Sequence, residues 1–113
     1  MRYATRRDLN HDPIEEVFRV MLGDHVTNIA GLGGGVGDLA VSYGPYLHLI
    51  EIKRDAKVPL TAAEIKFKKT HPGCITRVEN VAQAENICRI IRARGMMLAE
   101  GGHIPRLTEI VQA

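Results

Sequence analysis

Residues 35–53 read GVGDLAVSYGPYLHLIEIK, and the fold of the whole chain turns on them. Asp38 to Tyr43 and Tyr46 to Lys53 are rich in branched and aromatic residues, which suit a pleated, half-buried surface. Gly44-Pro45 between them is a turn signal, so the two runs predict an antiparallel hairpin. Side chains alternate along a strand: Leu47, Leu49, Glu51 and Lys53 share one face, and His48, Ile50 and Ile52 the other. A turn at Gly44-Pro45 pairs residues whose numbers sum to about 89 to 91, which sets Asp38 opposite the stretch from Glu51 to Lys53. Two carboxylates and an ammonium group are therefore expected at one end of the hairpin.

Upstream of this stretch, Asp12 is a helix N-cap, Pro13 takes the first helical position and Glu15 follows three residues after the cap. Ile14, Val17, Phe18 and Met21 recur at helical spacing, and Gly23 ends the run. Val26 to Ala30 reads as a short strand. The glycines from Gly31 to Gly37 read as a mobile loop that allows close backbone approach. Downstream, Leu60, Thr61, Glu64 and Ile65 combine a capping box with a hydrophobic staple, opening a helix that closes near His71-Pro72-Gly73. Cys74 to Glu79 alternates as a strand. Asn80 with Gln83 opens a third helix to Gly95, with Val81, Ala84, Ile87, Cys88 and Ile91 inward and Arg89, Arg92 and Arg94 solvated. Met96 to Ala113 is an extension holding a short helix near Leu107 to Val111. The elements describe one α/β domain over residues 1–113: a basic arm at 1–11, a core at 12–95 and the extension at 96–113.

Length and composition agree with a single globular domain: 113 residues, 45% hydrophobic, 25% charged, close to ordinary averages. No apolar run reaches the roughly 18 to 20 residues of a membrane helix, and the N-terminus lacks the apolar core of a secretory signal, which predicts a cytoplasmic protein without membrane contact. Cys74 and Cys88 are too few for a disulfide framework and read as small buried hydrophobes. The net charge of +2 conceals a division. Asp8 to Glu51 holds seven acids and one base, a local −6, whereas Lys53 to Lys69 holds six bases and two acids, a local +4. Opposite stretches that meet in the fold make a place for a cation and a polyanion together.

Carboxylates a few ångströms apart repel when both ionise, unless a hard divalent cation sits between them. Magnesium suits such a pair, because it keeps several waters and completes its shell with substrate phosphate. A metal-bound water is a stronger nucleophile, and Lys53 with the metal can neutralise charge growing on a phosphate. Those are the parts of phosphodiester hydrolysis. Gly35-Val36-Gly37-Asp38 followed by Ile50-Glu51-Ile52-Lys53 resembles the D…(D/E)-x-K signature of the PD-(D/E)XK nuclease superfamily. Arg7-Asp8-Leu9-Asn10 and the run from Leu60 through Phe67 to His71-Pro72-Gly73 resemble its small phage and bacterial VRR-NUC-like members, which are similar to Holliday junction resolvases. The resemblance spans residues 6 to 92. It implies a restriction-endonuclease-like αβββαβα core, a central mixed sheet flanked by helices.

That resemblance further implies a magnesium-dependent DNA endonuclease, with manganese able to substitute. Asp38, Glu51 and the Ile52 main-chain carbonyl would be metal ligands, and Lys53 would orient or deprotonate the attacking water. Relatives often add an acid from the first helix, for which Glu16 is preferred because Glu15 has its capping role. Glu64 falls where relatives often have Gln near the active site, and is equally the capping partner of Thr61. The usual proline before the first Asp is Gly37 here, expected to loosen a turn, and Pro13 lies where some relatives carry the helix-one acid.

Arg2, Arg6, Arg7, Lys57, Lys66, Lys68 and Lys69 are candidate phosphate contacts. Few aromatics argue against a stacking platform for single strands, favouring duplex or branched DNA. His11, His48, His71 and His103 lack pairing that would make them ligands. The glycines match no phosphate-loop pattern, which sets nucleotide cofactors aside. Resolving relatives act as twofold dimers, implying a homodimer. The competing reading is a non-catalytic DNA-binding or assembly module that keeps the nuclease fold.

Overall fold

The computed structural model describes residues 11–44 and 46–99. The basic arm with Arg2, Arg6 and Arg7, and the expected helix near Leu107 to Val111, lie outside them. Helix α1 spans His11–Leu22 and leads through a single 3-10 turn into β1, Val26–Asn28. A second such turn and the glycine segment connect to β2, Leu39–Tyr43, and β3, Tyr46–Ile52. Then come α2, Ala62–Thr70, β4, Ile75–Val78, and α3, Val81–Ala99. The strands form one mixed sheet in the order β1-β2-β3-β4, antiparallel across the first two interfaces and parallel across the last. This is an α/β fold with a four-stranded sheet and three helices among the described residues. None of those helices is long and apolar enough to cross a membrane.

The hairpin forms in the expected register, with Leu39 opposite Ile50 and Tyr43 opposite Tyr46. One face of the sheet carries Leu39, Val41, Ile50, Ile52 and Val78. Against it pack Ile14, Phe18 and Leu22 from α1 and Ala84, Ile87, Cys88 and Ile91 from α3. Each large side chain buried there contributes about 1.5 to 3 kcal/mol, so this layer holds the domain together. The opposite face bears Leu47, Leu49, Glu51 and Lys53. Helix α2 lies on that side and buries none of its own residues. Its start is fixed locally: Thr61 Oγ1 accepts the Glu64 N–H at 3.2 Å and Glu64 Oε1 accepts the Thr61 N–H at 2.8 Å.

Several expectations need correction. β1 ends at Asn28, short of Ala30, because Asn28 Oδ1 accepts the Ala30 N–H at 3.0 Å and starts the 3-10 turn. Helix α3 passes through Gly95 to Ala99. A Cβ at Gly95 would meet the Tyr43 ring at 2.8 Å, so this glycine admits a strand side chain instead of stopping the helix. Arg94, expected in solvent, is 4% exposed, with Nη1 3.2 Å from both ring nitrogens of His48 and its guanidinium 4.3 Å above the Tyr46 ring. Cys74 is exposed; Cys88 is buried, and burial pushes its thiol up to about 12.

The glycine segment is built for close approach to the protein's own backbone. Gly35 sits at φ +79°, and a Cβ there would lie 2.4 Å from the Ala63 carbonyl oxygen. Gly37 sits at φ +102°, where a Cβ would lie 2.8 Å from the Ile50 carbonyl oxygen. Gly37 thus tightens the entry to β2, where a looser turn was expected, and Gly35 seats the loop on the first turn of α2. Left-handed backbone and overlap with main-chain atoms each cost about 1 to 3 kcal/mol. Gly35→Ala and Gly37→Ala should therefore each lower unfolding free energy by about 2 to 4 kcal/mol in urea titration. Gly31→Ala, where a Cβ meets nothing within 4 Å, should change it by less than about 0.5 kcal/mol; equal effects at all three positions would contradict this account.

Candidate active site

Asp38 precedes β2 and is bonded to β3 twice. Its N–H donates to the Ile50 carbonyl at 2.7 Å, and its Oδ2 accepts the Ile52 N–H at 2.7 Å. Continuing the register by one residue sets it opposite Glu51. A strand residue turns its N–H and C=O to the same side, so the Ile52 carbonyl also faces the Asp38 side of β3. Glu51, the penultimate residue of β3, is 1% exposed, and neither carboxylate oxygen has a hydrogen bond. Lys53 Nζ lies 3.6 Å from its Oε2. Lys53 Nζ in turn reaches Glu64 Oε1 at 2.8 Å and Oε2 at 3.0 Å. Glu64 therefore closes the α2 cap, as expected, and also braces the strand lysine, which the sequence did not indicate.

The electrostatics follow from burial and spacing. Loss of water and then the Glu64 charge push the Glu51 carboxyl above the usual carboxylate range; Lys53 and Lys68 offset this in part, and Asp38 adds to it. Burial works against the Lys53 ammonium, but the hydrogen bond to Glu64 and the charges of Glu51, Glu64 and Asp38 outweigh it and raise Lys53 above the ordinary lysine value. Burial also opposes the Glu64 carboxylate, yet the bonds from Lys53 and Thr61 hold it below its ordinary value. At neutral pH Lys53 is thus a cation clamped by Glu64. In that state it can orient and neutralise, and it cannot take a proton.

Other expected site residues fall in different places. Glu16 is exposed, while Glu15 is buried, accepts bonds from Arg19 at 2.7 and 2.9 Å, and accepts from Asn28 Nδ2 at 3.1 Å. The acid that α1 turns toward the sheet is Glu15. Lys57, Lys66 and Lys69 are exposed, and Lys68 is half-buried on α2, one turn beyond Glu64. Arg77 was missed. Opposite Glu51 in the β3–β4 register, it binds the Asp55 and Val58 carbonyls at 2.9 and 2.6 Å and Glu79 at 2.6 Å. It fixes the connection that follows Lys53. The signal was available as an arginine inside a short alternating strand.

Among the described residues no three His, Cys, Asp or Glu side chains form a ready-made metal cage. Two carboxylates and a main-chain carbonyl nonetheless fit magnesium, which leaves several positions to water and phosphate. The bare oxygens of Glu51 are the observation in favour: a buried acceptor without donors is costly, and a cation relieves that cost. No protein-family model matches the sequence, and neither curated proteins nor solved structures give a significant match.

Glu51 should therefore weaken the fold it sits in. A carboxyl whose folded pKa is raised costs nothing below the ordinary value of 4.5, and its cost is complete once pH exceeds the raised value. Glu51→Gln keeps the shape and removes the charge, so it should raise the thermal midpoint at pH 7 by several degrees, roughly 1 kcal/mol. The difference should shrink toward pH 4. A midpoint lowered at pH 7 would show that Glu51 is satisfied in a way its environment does not reveal.

Proposed function

We propose that this chain is a divalent-metal-dependent DNA endonuclease that hydrolyses phosphodiester bonds in duplex or branched DNA. The observation that carries the reading is Glu51: a buried carboxylate with both oxygens bare, facing Asp38 across the end of a hairpin, with a lysine two residues on. The element order α1-β1-β2-β3-α2-β4-α3 is compatible with the αβββαβα core that the resemblance implies, and supports the same reading. Asp38, Glu51 and the Ile52 carbonyl would hold magnesium or manganese, which supplies charge neutralisation at phosphate and a lowered pKa for water.

The chain's own groups supply the rest. Asp38 is locked by two hydrogen bonds to the β3 backbone, so its carboxylate is held in place before substrate arrives, which is the preorganisation that electrostatic catalysis needs. Lys53 presents an ammonium group beside the two carboxylates, placed to orient an attacking water and to offset charge on the phosphate. Glu64 positions Lys53 and keeps it protonated. Exposed Lys57, Lys66 and Lys69 lie on the connection after β3 and on α2, where contact with flanking phosphates would add salt-sensitive affinity. A homodimer would present two such sites to two strands.

Incubation of plasmid and branched oligonucleotides with the full chain in magnesium or manganese should yield cuts. Asp38→Asn, Glu51→Gln and Lys53→Ala should each slow cutting by about a hundredfold or more, with all three variants folded by circular dichroism. Manganese should also raise the thermal midpoint of the parent and leave that of Glu51→Gln unchanged. Three folded variants that cut like the parent would refute the site. Salt-sensitive DNA binding with no cutting in any divalent metal would favour the assembly module. Light scattering at micromolar concentration should give twice the chain mass of 12.5 kDa; a monomer mass would remove the dimer.

A further inference from the structure

Among the described residues, the sheet face that carries Glu51 is covered by α2, which buries none of its own residues. Leu47 on this face is 65% exposed. Beside the first half of β3 lies a cavity of about 410 Å³. On one side stand Phe67 and His71, with ring centres 4.5 Å apart. On the other stands Tyr46, with the Arg94 guanidinium 4.3 Å above its ring. Leu47 and Leu49 contribute apolar surface between them. His48, behind Arg94, is held down to about 4 by burial and by the Arg94 charge, and so is neutral at pH 7.

The backbone adds a polar element. β4 pairs only with Leu49 to Ile52, so among the described residues no strand flanks Tyr46–His48 on that side. The Ile52 N–H points to Asp38 and the Lys53 N–H to the Val78 carbonyl. Even-numbered residues of β3 thus address β2, and odd-numbered ones address the β4 side. Leu47 accordingly turns its N–H and C=O, a donor beside an acceptor, toward the open side where the cavity lies.

Aromatic rings beside an apolar slot, with an adjacent backbone donor and acceptor, fit a flat heterocycle. Such surfaces stack nucleobases whatever their identity. The slot begins at Leu49, two residues along β3 from Glu51 and on its face, a rise of about 7 Å. That is within reach of a nucleotide whose phosphate lies at the carboxylates. Resting on the nuclease reading above, we propose that this slot receives an unpaired nucleobase adjoining the phosphate held at Asp38 and Glu51, which makes the chain select DNA with a flap or branch. The low aromatic content had argued against a stacking platform. The fold gathers Tyr46 and Phe67, with His71, at a single place, and total content does not measure that.

The test uses duplexes carrying a three-nucleotide unpaired flap, with 2-aminopurine at each flap position in turn, and a blunt duplex of the same sequence. The full chain is titrated into them in EDTA and again in calcium. One flap position should be quenched on binding, the flap should bind about tenfold tighter than the blunt duplex, and Phe67→Ala should abolish both effects. Leu49→Trp, which fills the slot, should do the same and serves if Phe67→Ala fails to fold. Absence of quenching at every position, or a folded variant that binds the flap like the parent, overturns the slot. Quenching without cutting in any divalent metal leaves the slot standing and removes the nuclease reading. Cutting of blunt and flapped DNA at equal rates without quenching removes the slot alone.

Discussion

Asp38 is tied to β3 through both its main chain and its side chain, and the geometry of the candidate site descends from that pair of hydrogen bonds. The hydrogen bond from the Asp38 N–H to the Ile50 carbonyl and that from the Ile52 N–H to the Asp38 carboxylate continue the hairpin past its last ladder pair and set the carboxylate beside Glu51. The approach requires Gly37, because any side chain there would strike the Ile50 carbonyl. A residue that looked like a relaxed substitute for proline is what lets the two strands close at the end that carries Asp38 and Glu51.

The charges at that end are arranged at the expense of stability. Glu51 is buried without donors, Lys53 is shared between Glu51 and Glu64, and Glu64 also caps α2. Folding energy comes from the other side of the sheet, where α1 and α3 bury their apolar faces. The molecule thus separates its duties: one face of the sheet provides cohesion, and the other tolerates an unfavourable charge cluster and a loosely covered slot. Groups whose burial is poorly compensated concentrate where function is drawn from the structure.

Much of this could be read from residues in sequence order. The hairpin register, the Thr61–Glu64 cap and the inward stripe of α3 at Ala84, Ile87, Cys88 and Ile91 follow from alternation, capping chemistry and helical period, all of which act over a few residues; Val81, expected inward, is exposed at the start of the helix. Cys74 and Arg94 were misread because burial is decided by what lies across the molecule. Cys74 sits in the exposed turn ahead of β4, while the last turns of α3 carry Arg94 onto Tyr46 and His48. Gly95 was read as a stop because a glycine near a helix end is usually one; its true reason is the Tyr43 ring, about fifty residues away in sequence.

By itself the sequence determined the elements, their order and the grouping of Asp38, Glu51 and Lys53, because strand alternation and turn position are local rules. Tertiary structure decided that Glu51 has no hydrogen-bond donor, that Glu64 clamps Lys53, that Glu15 and not Glu16 faces the sheet, and that Tyr46, Phe67 and His71 surround one cavity. Those outcomes depend on how helices far apart in sequence settle on the two faces of the sheet, and desolvation and close packing exist only once they have done so.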